Sequence, residues 1–80
     1  MVNHMETIID SRATPDGRIF CELQCKFYYG SDVYSVHVYK SDNGIDYSET
    51  HRSYPTGNKQ KATTTFKKYC GQYLRQRNKY

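Results

Sequence analysis

The chain has 80 residues, of which 36% are hydrophobic, and it carries a net charge of +4 (12 basic minus 8 acidic residues). A chain of this length forms one domain with a thin core, and it has no run near the roughly 18 apolar residues that a membrane helix needs. We therefore expect a single small domain over residues 1–80, without a membrane segment or a signal peptide. We expect residues 1–4 to be disordered or derived from cloning, because His4-Met5 matches a cloning site.

The three cysteines are an odd number, which argues against a disulfide framework. Cys21 and Cys25 lie four residues apart on one predicted strand, so their Cα atoms are about 13 Å apart, too far for a disulfide. Their spacing does not fit a zinc knuckle either. We interpret both, together with Cys70, as small core residues of a reduced, cytoplasmic protein, and we expect no metal and no other cofactor.

The first two strands are predicted from Met5 to Ala13 and from Ile19 to Tyr29. Odd positions of the second strand are apolar at every step and even positions are mostly polar, so one face is buried and the other is open to solvent. We expect the odd positions, including Cys25 and Phe27, to face a helix.

The turn between these strands is predicted at Thr14-Pro15-Asp16-Gly17, as a three-residue loop with a bulge at Gly17. This register pairs Ala13 with Ile19, Ile9 with Leu23 and Met5 with Phe27, so apolar residues meet on the buried face. The two-residue alternative places Asp10 and Arg12 on that face, and we reject it for this reason.

The third strand is predicted from Val33 to Lys40, after a turn at Ser31-Asp32. This register pairs Gly30 with Val33, Phe27 with Val36 and Cys25 with Val38, and on the open face it pairs Lys26 with His37 and Gln24 with Tyr39. Tyr34, Val36 and Val38 then face the core.

Asn43-Gly44 predicts a tight type I′ turn, because both residues tolerate positive φ. The fourth strand is predicted from Ile45 to Ser53, with Ile45, Tyr47, Glu49 and His51 facing inward. Only half of these are apolar, which is typical of an edge strand.

A helix is predicted from the cap residue Asn58 to about Gln76. Its apolar residues recur every three or four positions, which gives one buried stripe. The threonine run at residues 63–65 weakens the first turns, so a start near Thr63 is the alternative. The stripe comprises Ala62, Phe66, Tyr69, Cys70 and Tyr73. The predicted fold is therefore α+β: a four-stranded antiparallel meander (β-β-β-β-α) with one C-terminal amphipathic helix packed on one face.

Glu49 and His51 are the one candidate acid/base pair, because they share a face of the predicted fourth strand. A polar strand edge has the same appearance. No nucleophile lies on a recognisable elbow and no glycine-rich loop is suited to phosphate. We therefore expect a non-enzyme.

The basic residues are concentrated in the second half of the chain. All eight acidic residues lie at or before Glu49, whereas residues 57–80 hold seven Lys and Arg residues and no acid. Such an asymmetry is typical of a chain with an anionic partner, and a solvated helix face has the same composition.

The open sheet face supplies cations, hydrogen-bond donors and aromatic rings, the groups that contact phosphates and stack on bases. We therefore predict a small module that binds DNA or RNA through this face; an ordinary solvated face fits the same residues. The helix residues Lys67, Lys68 and Arg75 are expected to point away from the sheet. The predicted contacts are Lys26, Tyr28, His37, Tyr39 and Arg52 on the face, with Lys59, Lys61, Lys67, Lys68 and Arg75 as electrostatic support.

The element order of residues 33–76, strands joined by an Asn-Gly turn and followed by an amphipathic helix, resembles two kinds of DNA-binding module. These are the sheet-reading modules at the N-terminus of tyrosine recombinases and the AP2 domains of plants. The resemblance implies that a sheet face enters the major groove and that the helix braces it. The chain departs from their pattern at residues 56–61, the loop before the helix, which carries no acidic residue.

A protein-binding module is the alternative, of the kind that small phage-encoded inhibitors and adaptors provide. The same Tyr-rich face suits a protein partner, because Tyr and Arg are favoured interface anchors. Edge strands can also pair with a partner or with a second copy. The sequence is compatible with a monomer or a homodimer, and it leaves the host and the partner open.

Overall fold

A computed structural model describes residues 6–74 of the chain. Four strands, β1 (Glu6–Ala13), β2 (Ile19–Tyr28), β3 (Ser31–Lys40) and β4 (Ser48–Arg52), form an antiparallel sheet in the order β1-β2-β3-β4. Helix α1 (Lys59–Tyr69) packs on one face and continues as a π-helical turn (Cys70–Leu74). The predicted α+β meander with a C-terminal helix is confirmed. Residues 1–4 and Met5, for which we made predictions above, lie outside the described residues.

The core lies between the helix and strands β2 and β3. It is small, and it includes two of the three cysteine thiols, since Cys21 is fully buried and Cys70 nearly so. Burial and the neighbouring Cys70 thiol raise the pKa of Cys21 to about 12, so this thiol stays protonated and unreactive. The buried apolar residues are Ile19, Cys21, Leu23, Val36, Val38, Ala62, Phe66 and Cys70.

Helix α1 begins where the cap was predicted, because the Asn58 side chain accepts a hydrogen bond from the Lys61 backbone N–H at 3.0 Å. The start near Thr63 is wrong. The threonines at residues 63–65 are helical, and each Oγ1 donates to the carbonyl four residues earlier, at 2.9 to 3.1 Å. The predicted helix end at Gln76 lies outside the described residues.

The first hairpin has a different register from the one predicted near its turn. Thr14 closes a four-residue loop: its N–H donates to the Ile19 carbonyl at 2.9 Å and its Oγ1 donates to Asp16 at 2.7 Å. Asp10 therefore pairs with Leu23 and Arg12 with Cys21, as in the alternative that we rejected. The helix side tolerates this charge because Arg12 lies over the Phe66 ring, 5.8 Å from its centroid.

A bulge at Ile9 then restores the predicted register in the outer half of β1. Beyond it, Thr7 pairs with Cys25 and Ile8 with Gln24. The side chains that change face relative to the prediction are those of the inner half of β1, between the bulge and the turn. Ile8, opposite Gln24, lies on the open side of the sheet, as the predicted register requires.

The second hairpin turns at Tyr29-Gly30, not at Ser31-Asp32. Tyr29 and Gly30 both have positive φ, 51° and 80°, which a type I′ turn requires. The strand pairs differ from the predicted pairs by four residues, so Cys21 pairs with Val38 and Leu23 with Val36. A shift of four keeps every side chain on its predicted face, and Val36 and Val38 remain in the core.

The buried face of β2 ends earlier than predicted. Cys25 is half-buried, Phe27 is 55% exposed and Tyr29 is 91% exposed. Phe27 pairs with Asp32 near the hairpin tip, which extends beyond the core. The expectation that every odd position from 19 to 29 is buried is therefore wrong for the last two.

The predicted Asn43-Gly44 turn is replaced by a longer loop over residues 41–47. The Asn43 side-chain oxygen accepts from the Ile45 and Asp46 backbone N–H groups, at 2.8 and 2.9 Å, and so takes the place of a tight turn. The Tyr47 hydroxyl donates to the Gly17 carbonyl at 2.7 Å and ties this loop to the first hairpin. Strand β4 consequently starts at Ser48 and not at Ile45.

A bulge at Thr50 separates Glu49 from His51. Glu49 pairs with Tyr39, whereas His51 pairs with Val38 on the helix side, where its ring lies 4.5 Å from Tyr73. The two side chains thus lie on opposite faces of the sheet and do not form the acid/base pair that was considered above. The bulge places the Glu49 side chain on the open face.

Candidate functional site

The open face contains a groove of about 530 Å³ with β3 as its floor. Its outer wall exists because the chain after β4 returns to β3: Tyr34 and Thr56 exchange two backbone hydrogen bonds, at 2.7 and 2.9 Å. This bridge holds residues 55–57 beside the floor. The groove is lined by Lys26, Tyr28, Val33, Ser35, His37, Arg52, Pro55, Thr56 and Gly57.

The two walls of the open groove each carry a cation. Lys26 comes from β2, opposite Val33, and Arg52 comes from β4, opposite His37. One strand lies between them and the two positions are four residues apart along that strand, so their backbones are about 16 Å apart. Both side chains are exposed, and so is Tyr28 on the Lys26 side. An anionic group lying over β3 therefore has a positive charge on either side and an aromatic ring at one end.

A chain of hydrogen bonds crosses the floor of the groove. The Ser35 Oγ lies 2.8 Å from His37 Nε2, and His37 Nδ1 lies 3.0 Å from Glu49 Oε1. Arg52 Nε donates to the other Glu49 oxygen at 2.6 Å. His37 is only 9% exposed although it is on the open face.

Glu49 is held in its ionised form by this arrangement. Partial burial alone would raise the pKa of Glu49, but the hydrogen bonds from Arg52 and His37 outweigh it and lower the pKa below its usual value. A carboxylate therefore lies next to the imidazole at neutral pH.

Aromatic rings cover the other end of the open face. The Phe20 ring stacks on Tyr39 at 4.9 Å, and Tyr47 meets Phe20 edge-on at 5.2 Å. Burial raises the pKa of Tyr39, whose hydroxyl also accepts a hydrogen bond from Gln24. The rings at this end pack on one another, whereas the polar and charged side chains that a ligand can reach line the groove.

A second groove, of about 460 Å³, lies between the β4–α1 connection and the helix. Arg52 lines both grooves. Lys61 and Lys68 line the helix side of the second groove, and the fully exposed Tyr54 lies beside it. We call Lys26, Arg52, Lys61 and Lys68 the basic band, since they follow one path from the open face to the helix.

Six of the ten predicted contact residues line one of the two grooves. Lys26, Tyr28, His37 and Arg52 line the open groove, and Tyr39 is on the same face towards its packed end. The predicted pairs were wrong: Lys26 lies opposite Val33, Gln24 opposite Ser35, and Tyr39 opposite Phe20.

The helix residues divide into two groups. Lys61 and Lys68 are exposed and line the second groove, on its helix side. That Lys68 points away from the sheet stays a prediction. Lys59 and Lys67 are exposed on α1, and Arg75 lies outside the described residues.

Sequence reasoning missed Ser35, the contact of Glu49 with His37, and the wall at residues 55–57. Ser35 and His37 are two positions apart on one strand, and that spacing is visible in the sequence. The position of Glu49 depends on the bulge at Thr50, and the wall depends on the bridge between Tyr34 and Thr56. Neither has a signal in the residue pattern.

Comparisons with known proteins add no assignment to this geometry. None of the protein-family models, curated proteins or solved structures compared with the chain gave a significant match. Within residues 6–74, no group of three or more His, Cys, Asp or Glu side chains is arranged to hold a metal ion. No helix in that part of the chain has both the length and the apolar character needed to cross a membrane.

Proposed function

We propose that this chain is a small module that binds nucleic acid, DNA or RNA, along the basic band. The observation that carries the proposal is the placement of Arg52 in both grooves, because it joins the cations of the sheet face to those of the helix. Phosphate contacts from such a row of Lys and Arg supply most of the affinity in sequence-independent binding. The exposed rings of Tyr28 and Tyr54 are placed to stack on unpaired bases.

Salt dependence of binding tests this function. Fluorescence anisotropy with a labelled single strand and a labelled duplex, each at several NaCl concentrations, gives the slope of log K against log salt. The expected slope is about −0.7 per phosphate contact for a single strand and about −0.9 for a duplex. Failure to bind either probe at low salt would refute the proposal.

Charge-neutral variants locate the contacts. Lys26→Gln and the double variant Lys61→Gln/Lys68→Gln should weaken binding and reduce the slope by roughly one contact per charge removed. Lys40→Gln is the matched control, because Lys40 is exposed at the far end of β3 and lines neither groove. If Lys40→Gln weakens binding as much as Lys26→Gln does, the net charge of the chain and not the band is responsible.

A protein partner is the second candidate, and strand β1 favours it. Every residue of β1 is exposed, and its outer edge has no neighbouring strand among residues 6–74. A strand of another protein can pair with such an edge. If this chain is a phage-type inhibitor, that protein is its target; if the strand comes from a second copy of the chain, the pair is a homodimer. Size-exclusion chromatography with light scattering distinguishes a monomer from a dimer.

We also propose a reduced, cytoplasmic setting for the protein. All three cysteines are free thiols, and the two in the core are small packing residues. Mass spectrometry of the protein isolated from its host, after rapid alkylation, should find no disulfide.

A further inference from the structure

A continuous row of side-chain hydrogen bonds runs through the open groove. Ser35, His37 and Glu49 lie in line, with separations of 2.8 and 3.0 Å. Arg52 anchors the far oxygen of the carboxylate at 2.6 Å. Three strand positions that are separated in the sequence are thus brought into contact in one row.

The proton positions follow from the partners. The Glu49 carboxylate can only accept a hydrogen bond, so His37 Nδ1 must carry the proton that joins them. In a neutral imidazole the other nitrogen, Nε2, is then an acceptor. The contact between Ser35 and Nε2 is consequently a bond in which the hydroxyl donates.

This arrangement is that of a nucleophile, a general base and a carboxylate that orients the base. The accessibility of the groups is also suitable, since Ser35 lines the open groove while His37 is almost fully buried beside it. A nucleophile must be reached by its substrate, whereas its base must keep one orientation.

We propose that Ser35 is a nucleophile, with His37 as its general base and Glu49 as a positioning residue. The substrate class is a carboxylic ester small enough for the groove and carrying an anionic group. Lys26 and Arg52 flank Ser35 in the same groove, so they supply positive charge both for that anion and for the oxyanion that forms during attack.

The reaction has two balanced steps. In the first, Ser35 Oγ bonds to the ester carbonyl carbon, its proton passes to His37 Nε2, and the carbon–oxygen bond to the leaving alcohol breaks as that proton is returned to the alcohol. In the second, water attacks the acyl group on Ser35 and gives a proton to His37, and the same proton then restores the Ser35 hydroxyl. The net change is hydrolysis of one ester to an acid and an alcohol.

This inference goes beyond the proposed binding function and is independent of it. It also revises the expectation of a non-enzyme, which considered Glu49 with His51. The carboxylate that the sequence suggested is retained, but the structure supplies another histidine for it and a hydroxyl beyond that histidine.

A fluorophosphonate reagent tests the nucleophile directly. Ser35 Oγ would displace fluoride from phosphorus, forming an oxygen–phosphorus bond and breaking the phosphorus–fluorine bond, and the hydroxyl proton would leave through His37. Intact-mass analysis should show one adduct, and peptide mapping should place it on Ser35. Hydrolysis of p-nitrophenyl acetate, followed by release of p-nitrophenolate, measures turnover of the acyl group.

The variants separate chemistry from folding. Ser35→Ala should abolish the mapped adduct, and His37→Gln should slow labelling about 10²-fold, the usual contribution of a general base. Ser11→Ala is the matched control, since Ser11 is an exposed serine elsewhere on the same face, opposite Glu22. It should label as the wild type does, and circular dichroism should show all three variants folded.

A pH profile distinguishes positioning from a structural role for Glu49. At every pH tested, Glu49→Gln should label more slowly than the wild type because it no longer fixes the tautomer of His37. Glu49→Asp should restore part of the rate. The charged and titratable groups that face His37 are Glu22 from β2, Tyr39 from β3, and Glu49 and Arg52 from β4.

Two results would overturn the inference. One is equal labelling of the wild type and Ser35→Ala. The other is labelling of Ser35 at the same rate in His37→Gln, or in the urea-unfolded chain, because a hydroxyl without a base reacts in that way. If His37→Gln does not fold, the comparison of Glu49→Gln with the wild type decides the question without altering the imidazole.

Discussion

Glu49 illustrates how one side chain is given its properties by its neighbours. It accepts hydrogen bonds from a guanidinium and an imidazole, and these lower its pKa from the ordinary value of 4.5. A carboxylate whose pKa is lower in the folded state than in the unfolded state stabilises the fold above the unfolded pKa, and this stabilisation is lost as pH falls through the folded pKa.

The first prediction follows from this sign. The wild type should lose stability as pH falls below about 4.5, and Glu49→Gln should lose less over the same range, by under about 1 kcal/mol because the group is partly solvated. Thermal melts across this range measure the difference, which for a chain of this size is a few degrees. Glu6→Gln removes an exposed carboxylate as a control. Identical pH dependence in the two variants would show that the contacts of Glu49 are not formed in solution.

At the scale of elements, turns and bulges differ in how much the sequence reveals. The alternation of β2, the Asn58 cap and the helical stripe are local patterns, and each was predictable. The loop at Asn43 was not, because its side chain makes hydrogen bonds that replace the tight turn its sequence favours. The bulge at Thr50 was not either, since nothing local marks which residue a strand leaves unpaired. The contact of Glu49 with His37 in the candidate site depends on that bulge.

The β2–β3 hairpin carries the second prediction. Tyr29 is the sole non-glycine residue with positive φ among residues 6–74, and it precedes Gly30 in a type I′ turn. Asn tolerates this conformation far better than Tyr does. Tyr29→Asn should therefore stabilise the protein by about 1 kcal/mol, although Tyr29 is almost fully exposed.

Thermal denaturation measures this gain, with Tyr54→Asn as the control. Tyr54 is equally exposed but does not have positive φ, so its replacement should change the melting temperature little. The Tyr28 and Tyr29 rings lie 4.6 Å apart, edge to face. If Tyr29→Asn is no more stable than the wild type, this ring contact offsets the backbone strain.

At the scale of the whole molecule, a thin core must support the entire sheet. Eight apolar residues are buried within the described part of the chain, and they lie between the helix and strands β2 and β3. Strand β1 and the hairpin tip extend beyond this core and are exposed. Net stabilities of small domains are only about 5–15 kcal/mol, so this protein should depend heavily on a few side chains.

The last prediction compares two phenylalanines, one of which is buried in the core while the other is exposed at the hairpin tip. Phe66 is 1% exposed at the centre of the core, and its ring also contacts the Arg12 guanidinium. Phe66→Ala should cost about 3–5 kcal/mol through the cavity that it leaves, enough to unfold much of the population at 37 °C. Phe27→Ala, at the exposed hairpin tip, should cost under about 1 kcal/mol.

Urea denaturation followed by circular dichroism compares the two phenylalanine variants. The midpoint should fall steeply for Phe66→Ala and hardly at all for Phe27→Ala, with similar slopes where both transitions are measurable. Alternation along β2 places Phe27 on the helix side, like Leu23, so the sequence pattern alone predicts a buried ring there. A large loss for Phe27→Ala would mean that something covers the hairpin tip in solution. The first candidate would then be a second copy of the chain, because the tip lies beyond the reach of the core in a single copy.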